Sequence, residues 1–142
     1  MPTANPMLLA PVIALVIWTA VIWAWMYATR IPAIIKARMK LDPMAPRGQQ
    51  MAQLPAQVRW KADNYNHLFE QPTLFYAVAL SLAVLGDHSA SSLALAWSYV
   101  ALRIVHSLVQ VTWNKIEVRF AIFFVSSLVL FALTYNAAVR VF

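Results

Sequence analysis

Cysteine is absent from this chain, glycine occurs only twice, and charged residues make up 11% of it. The lack of cysteine excludes disulfides, cysteine-ligated metals and a cysteine nucleophile. The scarcity of charge excludes an ordinary soluble domain, because a chain that is 62% hydrophobic has too little polar surface to cover one. The composition is typical of an integral membrane protein.

Four hydrophobic stretches are long enough to cross a bilayer core of about 30 Å. The predicted spans cover residues of about 7–29, 60–85, 91–113 and 118–139. Residues 40–58 are rich in proline and predict one true loop, whereas the other two connections are short and make consecutive helices antiparallel neighbours. The sequence therefore predicts an all-α membrane four-helix bundle that forms a single domain over residues 1–142.

Proline also bears on the second span. Pro72 predicts a kink within an otherwise continuous helix, because it cannot donate to the carbonyl four residues back. We expect no discontinuous helix, which, together with the scarcity of glycine, counts against a small transporter or channel subunit.

The distribution of charge predicts the orientation. The net charge is +6, and most cations lie in or beside the loop 40–58. The third connection adds Lys115 and Arg119, whereas the second connection has no Lys or Arg. By the positive-inside rule, both basic connections face the cytoplasm and both termini lie on the non-cytoplasmic side. A basic loop between spans predicts contact with anionic membrane lipids, and we expect no nucleic acid as a partner.

Polar residues at membrane depth form two rows with helical spacing. The row on the second helix consists of Arg59, Asp63, Asn66 and Glu70, with His67 beside it. The row on the third helix consists of Tyr99, Arg103, His106, Gln110 and Asn114. An ionised side chain in hydrocarbon costs at least about 2.5–3.5 kcal/mol, so these rows need partners, water or a ligand.

Two interpretations of the rows stay open. In the structural one, Glu70 pairs with Arg103, while Asn66 and His106 tie helices together. In the functional one, the rows meet within the bundle or at a subunit contact and line a polar site. Helix association needs one or two polar residues rather than two full rows, which favours the site. No metal-binding spacing, glycine-rich phosphate loop or serine triad is visible.

Two segments resemble motifs of the MAPEG family, the membrane-associated proteins in eicosanoid and glutathione metabolism. Residues 59–80, RWKADNYNHLFEQPTLFYAVAL, resemble its second-helix signature of a basic residue, an Asn, a Glu and a Pro running into an apolar helix. Residues 102–120, LRIVHSLVQVTWNKIEVRF, are similar to its third-helix motif, with Arg103, His106 and Arg119 in the matching places. The chain departs from the family pattern in the spacing from Asn66 to Glu70, in the short step to Pro72, and in having Gln110 instead of an aromatic residue.

The resemblance implies a bacterial-type homotrimer in the inner membrane, with glutathione bound in a polar cleft between subunits. It implies transferase or peroxidase activity on a lipophilic small-molecule electrophile or hydroperoxide. Arg119 is the residue expected to stabilise the glutathione thiolate. The residues expected to bind glutathione are Arg59, Asn66, His67, Glu70, Arg103, His106 and Gln110.

Physical chemistry agrees with these roles. A free thiol has a pKa near 8.5, and a guanidinium that stays charged favours the thiolate. Arg119 lies at the start of a helix, where the helix dipole adds to its charge. The alternative is a non-catalytic membrane protein of the same fold that binds lipid or another partner.

Overall fold

The computed structural model describes residues 4–142, and within this range the chain is helical without a strand. Five α-helices follow a short 3-10 turn at Pro6–Leu8: α1 (Leu9–Lys36), α2 (Ala56–His67), α3 (Pro72–Val84), α4 (Ala90–Thr112) and α5 (Ile116–Val141). A second 3-10 turn, Met51–Gln53, lies in the loop before α2. The predicted all-α fold class is confirmed.

Three stretches of the described chain are long and apolar enough to cross a membrane by themselves, namely Pro6–Lys36, Ala90–Thr112 and Ile116–Val141. Their outward faces carry exposed aliphatic and aromatic side chains, as expected for surfaces that meet lipid. The chain is therefore an integral membrane helical protein, and α2 and α3 together take the place of the predicted second span.

The second hydrophobic segment is interrupted inside the bundle. Residues 68–71 form turns, and Pro72 is the first residue of α3, where its missing N–H is no loss. The kink expected at Pro72 is thus a full break, and the expectation that the chain has no discontinuous helix is wrong. The break leaves the C-terminal end of α2 among the other helices.

The packing of the helices places this break opposite α4 and α5. Helix α2 packs against α1 and α4, α3 packs against α1 and α5, and α4 and α5 form the most extensive pair. The apolar core lies between them, and in it the rings of Phe75 and Tyr99 stack with their centroids 4.6 Å apart.

The two polar rows face different surroundings. Four residues of the α4 row are at most 3% exposed: Tyr99, Arg103, His106 and Gln110. All four residues of the α2 row are exposed on the outside of the single chain: Arg59, Asp63, Asn66 and Glu70. Helix α2 instead buries the face that carries Lys61, Ala62, Asn64 and Leu68. The two rows therefore do not meet within one chain.

A polar clasp closes the end of the bundle that we predict to be non-cytoplasmic. Asp87, in the turn between α3 and α4, is buried and pairs with Arg140 at 2.6 Å, and its carbonyl accepts from the Asn5 side chain at 2.6 Å. Burial alone would raise the pKa of Asp87, but the neighbouring Ser92 and Ser89 groups and the Arg140 charge outweigh it. The pKa of Asp87 therefore lies below its ordinary value.

Candidate functional site

Arg103 is the most deeply buried charge of the candidate site. It lies nine residues, or about 14 Å, from the end of α4 and has no solvent-exposed surface. Its Nη2 donates to Nδ1 of His67 at 2.9 Å and to the His67 carbonyl at 3.3 Å. Its Nε and Nη1 atoms are buried without a hydrogen-bond partner. The guanidinium thus has donors in excess of the acceptors around it.

The break after α2 supplies part of the compensation for this charge. A helix ends in carbonyl groups that lack partners and carry a partial negative charge. His67 is the last residue of α2, and its carbonyl accepts from Arg103. The C-terminal end of α2 therefore faces the guanidinium.

The contact with Arg103 fixes the tautomer of His67. A guanidinium has no acceptor atom, so Nδ1 of His67 must be the unprotonated acceptor and Nε2 carries the proton. A carboxylate oxygen of Glu70 lies 3.8 Å from the same Nδ1, and the Glu70 side chain is 68% exposed. Because Nδ1 already accepts from Arg103, Glu70 is a rim residue and not an ion-pair partner of His67.

A cluster of aromatic rings packs around Arg103 and His67. The rings of His67 and His106 lie 4.9 Å apart, and Phe123 on α5 meets His67 edge-on at 5.6 Å. The Arg103 guanidinium lies over the Phe123 ring at 5.9 Å. Nδ1 of His106 is buried without a partner. The site therefore holds a second imidazole with an unused polar atom.

Arg119 is held by the tight turn between α4 and α5. Asn114 adopts a left-handed backbone conformation with a φ of 53°, which Asn tolerates better than most residues. Its side-chain oxygen accepts from Nη1 of Arg119 at 2.5 Å. Nε of Arg119 is buried without a partner. The turn thus directs Arg119 towards the same region as the histidines.

His67, His106 and Arg119 border one cleft of about 360 Å³, whereas Arg103 contacts His67 from behind and does not line it. Its lining residues are His67, His106, Ile116, Arg119, Phe120 and Phe123. The α5 members all come from the first turns of that helix, beside the basic connection that we predict to be cytoplasmic. The volume lies within the range of small-molecule sites.

A hydrogen-bonded bridge lies one helical turn away from the cleft. The Tyr99 hydroxyl donates to Oε1 of Gln71 at 3.2 Å, and Nε2 of Gln71 donates to the Ser127 hydroxyl at 2.8 Å. The Ser127 hydroxyl in turn donates to the Phe123 carbonyl at 2.8 Å. We call the set Tyr99, Gln71 and Ser127 the amide bridge.

The structure gathers some of the predicted site residues and separates others. It brings together His67, Arg103, His106 and Arg119, with Glu70 at the rim. Gln110 is 3% exposed and accepts from the Asn64 side chain at 3.0 Å, so its amide binds within the bundle. The other two predicted residues lie outside the cleft, since Nε of Arg59 donates to the Leu54 carbonyl at 3.0 Å and the Asn66 side chain is exposed.

Sequence reasoning missed three residues of this region. Asn64 precedes the apolar Leu68 by four residues, so helical spacing already indicated an inward position. Phe123 follows Arg119 by four residues and shares its face of α5 in the same way. Gln71 had no such signal, because it lies in a break that the spacing does not predict.

Comparison with known proteins gives a family. A family-level comparison matches residues 8–139 to the MAPEG family, which is nearly the whole chain and includes every residue of the cleft. Searches of curated proteins and of solved structures gave no match. The resemblance of the two helix motifs is confirmed by this match, and the chain belongs to the MAPEG family.

Proposed function

We propose that this protein is a glutathione-dependent transferase or peroxidase that acts on lipophilic electrophiles or hydroperoxides. The observation that carries the proposal is the state of Arg103, which is fully buried, has two unpartnered donor atoms and has only neutral groups as acceptors. A buried charge without a counter-ion is costly unless a partner neutralises it. An anionic ligand in the adjacent cleft would supply that partner.

Glutathione fits the donor set of the cleft. It offers two carboxylates, an ammonium and a thiol, and guanidinium groups bind carboxylates through charge-assisted hydrogen bonds. Arg103 would attract a carboxylate through its uncompensated charge from behind the cleft wall, because its Nε and Nη1 atoms are buried, and the exposed carboxylate of Glu70 would take the ammonium near His67. His106 lines the cleft and offers its imidazole ring to the ligand.

Arg119 is the residue that we propose to stabilise the thiolate. Its guanidinium is held by Asn114, and the side chain lines the cleft. It also lies at the positive end of α5, which adds to its charge. When bound, glutathione supplies a nucleophilic thiolate, and Arg119 keeps that thiolate charged at neutral pH.

The lipophilic substrate would reach the cleft from the bilayer. Phe120, Phe123 and Ile116 give the cleft an apolar wall, and Phe120 and Ile116 are exposed on the outside of the chain. A molecule dissolved in lipid would therefore meet the thiolate without passing through water.

We further propose that the protein is a homotrimer. The exposed α2 row places Asp63, Asn66 and Glu70 on an outer surface at the depth of the predicted second span. Charged groups on such a surface need partners or water, which a neighbouring subunit would provide. Native mass spectrometry tests this, and a monomer as the sole species would contradict it.

Binding and thiolate absorbance test the proposed function directly. Glutathione titrated into the purified protein in nanodiscs should bind and raise the ultraviolet thiolate absorbance at neutral pH. Arg103→Gln should abolish binding, whereas Arg119→Ala should retain binding and lose the thiolate signal. An unchanged thiolate signal in Arg119→Ala would remove Arg119 from this role, and wild-type protein that binds no glutathione would overturn the proposal.

A non-catalytic member of the same fold is the second candidate. The contacts that favour it are the Asn64–Gln110 pair and the amide bridge, in which buried polar groups join helices by bonding to one another. On this alternative, Arg103→Gln would lower the melting temperature, and added glutathione would change the melting temperature of neither protein.

A further inference from the structure

We infer that Gln71 is a positioning residue: its side-chain amide fixes the break between α2 and α3 so that His67 stays on Arg103. The inference rests on the proposed function for its consequence in glutathione binding. The contacts of Gln71 and of His67 themselves exist without a ligand. Gln71 itself does not line the cleft and has no hydrogen bond to Arg103.

The amide of Gln71 contacts both helices that carry the site. Its Oε1 accepts from Tyr99, which precedes Arg103 by four residues and therefore lies one turn away on the same face of α4. Its Nε2 donates to Ser127, which follows Phe123 by four residues on α5. A single amide thus bridges the turns next to the guanidinium and next to the aromatic wall of the cleft.

The break needs such an attachment. Within residues 68–71 the helical bonding pattern lapses, and Phe69 and Glu70 donate only to carbonyls three residues back, such as Glu70 N–H to the His67 carbonyl at 3.3 Å. Turns of this kind open at lower free energy than helices. His67 lies four residues before Gln71 and offers Arg103 both its Nδ1 and its carbonyl. A shift of the break would therefore displace both acceptors of the guanidinium.

Gln71→Met removes both side-chain bonds of the amide and keeps its length, so it creates little cavity. Without the amide, the hydrogen bond between Arg103 and His67 should weaken. We expect the dissociation constant for glutathione to rise about tenfold, which is the effect of losing one charge-assisted hydrogen bond. Tyr99→Phe and Ser127→Ala should each give a smaller rise. Each should have little further effect in the Gln71→Met background, because each acts through the same amide.

Histidine-selective nitrogen NMR gives a readout that needs no ligand. His67 should show a single Nε2–H tautomer in the wild type and a mixture of tautomers in Gln71→Met, because Arg103 no longer holds Nδ1 continuously. His88 is exposed in the turn between α3 and α4 and serves as the internal reference. Asn136→Leu is the matched control, since it removes a side-chain bond from α5 to Ser92 on α4 at the far end of the bundle.

The possible outcomes separate the two proposals. A His67 tautomer that is unchanged in Gln71→Met overturns the positioning role, whether or not glutathione binds. An equal change in Asn136→Leu also overturns it, because general loosening of the bundle would then explain the signal. A changed tautomer in a protein that binds no glutathione supports the positioning role and defeats the proposed function.

Discussion

Arg103 has an imidazole and a main-chain carbonyl as its acceptors, at a depth where a guanidinium usually has a carboxylate. Neutral acceptors reduce the cost of burial without cancelling the charge. The field of the guanidinium therefore extends into the cleft, where a ligand carboxylate would feel it. A buried carboxylate partner would have neutralised Arg103 and left the cleft without attraction for an anion.

The acceptor role of His67 predicts a contrast between two substitutions. In His67→Asn the side-chain oxygen falls near the position of Nδ1 and keeps an acceptor for Arg103, so most of the stability should remain. His67→Leu removes the acceptor and should lower the free energy of unfolding by about 1.5–3 kcal/mol. Denaturant titration of both variants checks this. Equal losses in the two variants would show that packing of the ring, rather than the acceptor, matters.

At the residue scale, the sequence predicts some of the groups that gather but not the contacts that each of them makes. The spacing of Arg103 and His106 places both on the buried face of α4, and the motif that contains Arg119 brings it to the same cleft. The tautomer of His67 depends on a contact across two helices, which spacing within one helix does not reveal. The hydrogen bond that Gln110 accepts comes from Asn64 on another helix, so spacing within α4 does not reveal it either.

At the element scale, the Asn64–Gln110 bond fastens α2 to α4. Gln110→Leu should cost about 1–3 kcal/mol of unfolding free energy, because it leaves the fully buried Asn64 amide without its acceptor. The double variant Asn64→Leu with Gln110→Leu should recover much of that loss, since no unpaired polar group remains. Thermal unfolding of the two single variants and the double variant measures the coupling, and additive losses would contradict the expectation.

The clasp at the other end of the bundle predicts a dependence on pH. The pKa of Asp87 is lower in the folded protein than its ordinary value near 3.9, so the clasp stabilises the fold above that value and loses its effect as the pH falls through the lowered pKa. Asp87→Asn should reduce stability at pH 7 by about 1–2 kcal/mol, a range that allows for the partial exposure of Arg140. Melting temperatures measured from pH 7 downwards should converge for the two proteins in acid. A difference that persists there would show that the charge is not the cause.

The helices also show where sequence reasoning fails at this scale. The length of the apolar stretches predicts α1, α4 and α5. Each is a continuous helix whose backbone hydrogen bonds form within the helix, so no contact from elsewhere is needed to define it. The break at residues 68–71 depends on Pro72 together with contacts from Tyr99 and Ser127, which lie far away in the sequence. Local propensity therefore predicts a kink, and only tertiary contacts stabilise a complete interruption.

At the scale of the whole molecule, the placement of the connections predicts a labelling pattern. The chain has no cysteine, so a single introduced cysteine reports one site. His88→Cys, in the turn between α3 and α4, should react with a membrane-impermeant maleimide on intact cells. Arg47→Cys, in the basic loop, should react only after the membrane is made permeable. The reverse pattern would invert the predicted orientation.

The interrupted second segment has a consequence for biogenesis. Helix α3 has 13 residues and is about 20 Å long, which is shorter than the hydrocarbon core, and α2 carries Lys61, Asp63 and Asn64. A nascent segment of this kind does not partition from the translocon into lipid unaided, and its uptake requires helices that cover its polar groups. In a cell-free glycosylation assay, a ribosome-bound chain that ends before α4 should therefore leave residues 56–84 outside the bilayer. A longer chain that includes α4 should show these residues inserted.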